Sequence, residues 1–265
     1  MPSANLNGID LYFEESGSGQ PLLLIAGLSG NTQGWATLEP VLAKHFQVIA
    51  FDNRGAGRSS SPNGPYTTAD MAQDAVALLD HLGLGRVDVI GHSMGGMIAQ
   101  ELALTHPERV GRLVLLATQA RPNSTILEPW LDHWVQACER GEDPRGVMLF
   151  LMPWFLTPAF MANHEQVEAA LTEWVNDPYP ASALGLAAQA AACRSHNTFD
   201  RLARIAAPTL VLVGAEDIVT PVSCSRELAE HIPGARLQVL TNGGHIPDAE
   251  YPAEVSNALL QFLTK

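Results

Sequence analysis

Basic residues are scarce in this chain: 15 lysines and arginines stand against 28 aspartates and glutamates, a net charge of −13. With no basic stripe to offset it, that charge repels nucleic acid and anionic membrane surfaces and leaves small neutral substrates as the class that suits the chain. Cysteine is scarcer still. Cys138, Cys193 and Cys224 are odd in number, far apart and in no Cys-x-x-Cys pair, so neither a disulfide framework nor a zinc site is expected and all three read as buried fillers. No histidines stand at His-x-x-x-His spacing and no calcium-loop pattern occurs, so no metal is expected. Long apolar runs are missing too: none reaches eighteen residues, and Met1 to Ser18 is polar and acidic where a secretory segment would be apolar. These absences make a soluble, cytoplasmic protein the expectation. The glycosylation-like tripeptide Asn123-Ser124-Thr125 is then a chance match. Oligomeric state is not written in the sequence.

What is present is a chain of 265 residues, 46% hydrophobic, enough for one full core with an insertion. Short apolar runs bounded by turn residues recur at Leu22 to Ala26, Val48 to Phe51, Val87 to Gly91, Leu113 to Ala117, Thr209 to Gly214 and Leu237 to Leu240. They are too continuous for strands with one wet face, which predicts a parallel sheet covered on both sides. Helical spacing lies between them, clearest at Met71, Ala75, Leu78, Leu79 and Leu82, with Thr67-Thr68 at the entry and Gly83 at the exit. Strand and helix alternate, the pattern of an α/β fold. Ile9 to Glu14 alternates instead, predicting an antiparallel hairpin strand at the sheet edge, and Val255, Leu259, Leu260 and Leu263 mark a final packing helix.

The alternation stops between Gln119 and about Asp200, where prolines at 122, 129, 144, 153, 158, 178 and 180 divide the sequence into short helical pieces. The expected organisation is a core of residues 1–118 and 201–265 with a helical cap of residues 119–200. Trp130, Trp134, Trp154 and Trp174 all fall in the cap. Most should pack its own small core, with a minority facing an apolar pocket. The candidate pocket residues are Trp35, Trp130, Trp154, Phe155 and Ile246.

Gly91-His92-Ser93-Met94-Gly95 joins a strand-like run to a helix-like run. A serine flanked by glycine two residues away on each side, at such a junction, is the pattern of a strained turn that lifts one hydroxyl clear. The glycines follow from sterics, because a turn this sharp presses the backbone against neighbouring chain where a Cβ would collide. A phosphate loop would want Lys and Ser or Thr after its last glycine, and Met97-Ile98 stand there instead. Ser93 therefore reads as a nucleophile. A serine hydroxyl needs a base, and the base an orienting acid. His245 follows the last strand on the glycine-rich stretch Asn242 to Gly244, at the carboxyl end of the sheet where the serine turn emerges. Asp217 follows the run ending at Gly214 and lies between serine and histidine in chain order. The other position for an acid holds Thr118 and Gln119, neither a carboxylate, while His92 is expected to point away from Ser93. The amide of Met94, opening the next helix, and that of Leu28, in Gly27-Leu28-Ser29-Gly30, are the candidate oxyanion donors.

With these motifs the chain resembles the α/β-hydrolase superfamily. The resemblance rests on Gly27 to Gly30, Asp52 to Ser59, Gly91 to Gly96, Gly214 to Pro221 and Gly244-His245, spanning nearly all but the cap. Within the superfamily it is most similar to bacterial carboxylesterases and 3-oxoadipate enol-lactonases, and less closely to cofactor-free haloperoxidases. That implies a mostly parallel eight-stranded sheet with helices on both faces, a helical cap and the Ser93, Asp217 and His245 triad. Two departures stand out. Ala26-Gly27 replaces the His-Gly many members carry, which removes one hydrogen bond from the loop of Leu28. Dehalogenases and epoxide hydrolases of this superfamily have aspartate where this chain has Ser93, which sets those chemistries aside. The function expected is cofactor-free hydrolysis of a small ester or lactone through an acyl-enzyme. The alternatives are perhydrolysis on the same triad and a ligand receptor in a hydrolase shell. Arg121, Arg140, Arg145 and Arg194, in or beside the cap, are expected to be solvated, one clamping a substrate carboxylate only if an enol-lactone is the substrate.

Overall fold

The computed structural model describes residues 3–122 and 127–264; the tripeptide at Asn123 lies outside them. Eight strands form one sheet: β1 (Ser3–Leu6), β2 (Ile9–Gly17), β3 (Gln20–Ile25), β4 (Phe46–Phe51), β5 (Val87–His92), β6 (Val110–Leu116), β7 (Thr209–Gly214) and β8 (Arg236–Leu240). Their order across the sheet is β1-β2-β4-β3-β5-β6-β7-β8. All neighbours from β4 to β8 run parallel, and β2 pairs antiparallel with both β1 and β4. The fold is the α/β-hydrolase architecture the resemblance implied.

The helices are α1 (Glu39–Leu42), α2 (Thr68–His81), α3 (Met94–Thr105), α4 (Leu127–Glu139), α5 (Pro144–Phe155), α6 (Pro158–Met161), α7 (His164–Val175), α8 (Ala183–Ser195), α9 (Val222–His231), α10 (Pro247–Glu250) and α11 (Pro252–Leu263). The start of α2 follows from its first turn. The Thr67 hydroxyl accepts from the Asp70 amide, and the Asp70 carboxylate accepts from the Thr67 amide, a reciprocal cap. Its exit is equally local, since Gly83 takes a positive φ of 65°.

Strand alternation sends side chains to two cores. Leu23, Ile25, Ile49, Phe51, Val89 and Leu113 pack beneath α2, α3 and α9, while Leu22, Leu24, Val48, Ile90, Val114 and Leu212 pack beneath α1 and α11. Burying both faces explains why these strands read as unbroken apolar runs. Each fully buried leucine contributes about 1.5 to 3 kcal/mol. Truncating one of the leucines of β3, which sit at 0% exposure, costs about 2 to 5 kcal/mol once the cavity is counted.

One expectation needs correcting. The edge of the sheet is β1, and the hairpin strand β2 lies one place inside it. No residue of β1 is fully buried, so it carries no apolar pattern that periodicity could detect.

Chain order reverses at the β3–β5 pair, because the chain leaves β3 for β4 on one side and returns to β5 on the other. A crevice opens outside the carboxyl ends of the two strands at such a point. The serine turn after β5 and the Gly27 loop after β3 flank it. Helices α4 to α8 enter the chain between β6 and β7, and α4, α5 and α8 share an aromatic-rich core of Trp130, Trp134, Val147, Leu151 and Leu186. Pro144 and Pro158 begin helices as expected, whereas Pro153 is held inside α5.

Candidate active site

Ser93 adopts φ 53° and ψ −117°, a conformation rare for a residue with a side chain. It is held there from both ends: its amide donates to the Leu116 carbonyl at 2.9 Å, and the Thr118 hydroxyl donates to its carbonyl at 2.6 Å. The flanking glycines are there for space. A Cβ at Gly95 would overlap the Ile25 carbonyl, and one at Gly91 would overlap the Gly95 carbonyl. The strand-turn-helix context read from the sequence is thus the observed one, and Thr118, noted before only for lacking a carboxylate, fastens the turn.

The three side chains expected to meet do so. His245 Nε2 lies 2.8 Å from Ser93 Oγ, and His245 Nδ1 lies 3.0 and 3.2 Å from the two Asp217 carboxylate oxygens. Both His245 and Asp217 are 3% exposed. Asp217 is further oriented by the Val219 and Thr220 amides, each 2.9 Å from Oδ1, and by the Thr220 hydroxyl, 2.9 Å from Oδ2. These three donors fix the carboxylate with both oxygens within reach of the imidazole. The carboxylate accepts from Nδ1–H, which leaves Nε2 facing the Ser93 hydroxyl.

His92 does more than turn aside. Its Nε2 is 2.8 Å from the His245 carbonyl oxygen, so Nε2 is the protonated, donating nitrogen. Burial, and then the neighbouring His245, push its imidazole down to about 4, which keeps it neutral. A neutral donor from the serine turn therefore ties the loop of His245 down. A histidine beside the serine in sequence gave no signal of this role, because its partner lies 153 positions away.

The loop of Leu28 and the helix of Met94 border the same space. Met94 is the first residue of α3, so its amide has no acceptor within the helix and is free to face an anion. The Leu28 loop is braced by the Asn53 side-chain amide, donating to the Ala26 carbonyl at 3.0 Å, and by the Ser29 amide, donating to Gln189 Oε1 at 2.8 Å. Asp52, in the motif Asp52 to Ser59, is structural: it accepts from the Thr32 and Arg58 amides and pairs with the Arg58 guanidinium.

A cavity of about 900 Å³ opens over Ser93 and His245. Trp35, Trp130, Phe155 and Ile246 line it, as expected. Trp154 does not, and its assignment to the pocket is corrected: it sits behind Trp130, ring centres 5.6 Å apart, within the core of the inserted helices. Trp134 and Trp174 line the cavity instead. Phe155 stacks on the His245 ring at 6.0 Å, and its carbonyl accepts from the His245 and Ile246 amides at 2.8 and 3.2 Å. Glu250 completes that junction, accepting from the Thr157 amide and hydroxyl on one side and the Gly244 amide on the other. Neither residue's part in this was legible in sequence.

The four arginines considered as carboxylate clamps are each ion-paired: Arg121 to Glu227, Arg140 to Glu142, Arg145 to Glu168 and Arg194 to Asp132. Cys224 is buried as expected, whereas Cys138 and Cys193 are half-buried in the cavity wall, and no disulfide joins any of the three. Among the described residues no group of three or more histidine, cysteine, aspartate or glutamate side chains is placed to hold a metal ion, and no helix is long and apolar enough to cross a membrane.

Residues 20–247 match the model of the alpha/beta hydrolase fold family. The provisionally named carbamate hydrolase RutD of a Caulobacter species is 34% identical, over all of this chain and 98% of its own length. Among solved structures, the enol-lactonase of Burkholderia xenovorans superposes with a TM-score of 0.89 at 28% identity, covering both chains in full. A thermophilic esterase of Thermogutta terrifontis does so with a TM-score of 0.85 at 31% identity, covering 97% of this chain and 93% of the esterase.

Proposed function

The chain belongs to the alpha/beta hydrolase fold family, and from that premise we propose that it hydrolyses small carboxylic esters or lactones through an acyl-enzyme. The observation that carries the reading is the unbroken relay from Asp217 through His245 to Ser93, with contacts of 3.0 and 2.8 Å, in the wall of a largely apolar cavity. His245 Nε2 takes the hydroxyl proton as Ser93 Oγ adds to the carbonyl carbon. Asp217 holds the imidazole in the tautomer that can accept, and balances the imidazolium that forms. The Met94 and Leu28 amides receive the oxyanion, each contributing roughly a hundredfold to a thousandfold in rate. The imidazolium then protonates the leaving alkoxide. Water adds to the acyl-enzyme with His245 again as base, releasing the acid and free Ser93.

Residues 119–200 serve in this reading as the cap, whose Trp130, Trp134 and Phe155 close an apolar wall over the acyl or alkyl group. The names of the lactonase and esterase structures support a carboxylic ester or its cyclic form as the reacting bond. The 34% identity to the RutD relative favours one further acyl group, a carbamate, which passes through the same tetrahedral intermediate. Replacing Ser93 with Ala tests the reading. Turnover of short-chain nitrophenyl esters, simple lactones and aryl carbamates is expected to fall by roughly a thousandfold or more with the thermal transition retained. Turnover equal to wild type on every member of the panel would overturn it.

A further inference from the structure

Asp248, on α10 three residues beyond the proposed base, has no part in that chemistry, yet it lines the same cavity. It is 5% exposed, the only buried carboxyl lining the cavity among the described residues. A carboxylate offers about four acceptor positions, and a buried one normally fills them or pairs with a cation. The two other acids packed around the base do so: Asp217 takes three hydrogen bonds and the imidazole, and Glu250 takes three from two segments. Among the described residues Asp248 takes one hydrogen bond from another residue, a long one from the Thr37 hydroxyl at 3.3 Å, beside that of its own amide. Burial pushes its carboxyl up to about 6, opposed by its own amide, Thr37 and the nearby His245. Its oxygens keep unused acceptor capacity in the cavity that holds Ser93 and His245.

The charge of the cavity as a whole is an independent observation. Among the described residues Glu128, Glu142, Glu173, Asp177 and Glu250 line it together with Asp248, Glu142 being paired with Arg140 outside the lining, against a single lining cation, Arg194, which is bound to Asp132. A pocket for a substrate with a second carboxylate would carry an available arginine or lysine. This one carries the opposite field.

We propose that Asp248 receives a hydrogen-bond donor on the non-reacting part of the substrate, an ammonium in preference to a hydroxyl, and that the site discriminates against substrates bearing a carboxylate there. This deepens the ester-hydrolase reading and rests on it. The substrate class is then an ester or lactone of an amino- or hydroxy-substituted acid or alcohol.

The test uses three para-nitrophenyl esters that differ only at the far end of the acyl chain, where an ammonium, a methyl or a carboxylate caps the same number of methylenes, at three chain lengths. Wild type is expected to favour ammonium over methyl at one length by about tenfold in kcat/KM, the size a charge-assisted hydrogen bond carries, with the carboxylate ester poorest. Asp248→Asn is expected to bring the ammonium-to-methyl ratio close to one. Because the readout is a ratio within one preparation, partial loss of folded protein cancels. No ammonium preference in wild type, or a preference that survives in Asp248→Asn, overturns the proposal. If wild type cleaves none of the esters, the hydrolase reading fails separately. Hexylammonium against hexanoate, followed by quenching of the cavity tryptophans, then decides Asp248 alone: tighter hexylammonium binding that Asp248→Asn removes upholds it, and equal binding overturns it.

Discussion

The rim of the sheet and the helices inserted above it are built on different physics. At the rim, Ser93, Asp217 and His245 are positioned by short bonds with fixed directions, from Thr118, from Thr220 and from His92. In the inserted helices the order comes from stacked rings, with Trp130 at 5.6 to 5.7 Å from Trp134, Trp154 and Phe155, and from ion pairs on the outer surface. Hydrogen bonds lose strength within tens of degrees of misalignment, whereas apolar contact has no preferred direction. The proton transfer proposed between named atoms therefore belongs to the rim. An apolar wall that adapts to its guest belongs to the helices. The two regions are joined at the Leu28 loop, where the Ser29 amide donates to Gln189, and at the loop of His245, which the Phe155 carbonyl and the Glu250 carboxylate hold.

The sharpest way to break this comparison is at the rim. Asp217→Asn keeps the shape of the acid but favours the wrong imidazole tautomer, and kcat for a cleaved ester is expected to fall roughly ten-thousandfold with little change in melting temperature. A loss under tenfold would mean that the rim is not directional in the sense argued. In the inserted helices the balance should invert. Trp130→Ala removes a ring with three aromatic partners and is expected to cost about 3 to 5 kcal/mol of stability by denaturant titration, with KM for long acyl chains rising more than kcat falls.

Acid pH separates the regions by another route. Burial holds His196 down at about 3 and His92 at about 4, both below the ordinary histidine value near 6.5. The unfolded chain therefore binds more protons than the folded one between those limits. The stability these neutral rings contribute is complete above about pH 6.5 and is lost as pH falls toward 4. Asp248, raised to about 6, acts in the opposite sense, since the folded state binds its proton first and stability from it grows as pH falls through 6. Asp88, also raised by burial, acts as Asp248 does, and Asp70, held down by the Thr67 hydroxyl, acts as the histidines do; three groups against two leave a net loss. Urea titrations at pH 6.5 and 4.5 should show it, with a smaller difference in His196→Gln.

Glu250→Gln tests the junction at His245. It retains one acceptor oxygen for two sets of donors, and kcat is expected to fall about tenfold with KM moving less; equal changes in both would assign Glu250 to substrate binding instead. The smallest effect belongs to the outer ion pairs. Arg145→Ala, whose side chain is 46% exposed beside Glu168, should shift stability by no more than about 0.5 kcal/mol.

Much of this was legible in the chain itself. The parallel strands announced themselves because residues such as Leu22, Leu23 and Leu24 are buried on both faces and leave no polar position between them. Ser93 was legible because a strained turn tolerates glycine and little else at 91 and 95. Asp217 and His245 followed because each stands directly after a strand, where the chain must cross the open end of the sheet. The edge strand β1 was missed for lack of any buried residue, and Trp154 was misplaced because ring content does not say which side of a helix faces a cavity.

What the amino-acid order determined by itself, then, were features that act over a few residues: apolar period, the Thr67 cap, the glycines of the serine turn, and the excess of acid over base. What tertiary structure alone decided were encounters between segments far apart in the chain: His92 with the His245 carbonyl, Glu250 with Thr157, Asp248 with Thr37 across 211 positions. Local steric and capping rules constrain neighbours in sequence. The partner of a buried polar group is chosen by whichever backbone the packed sheet and helices bring within about 3 Å.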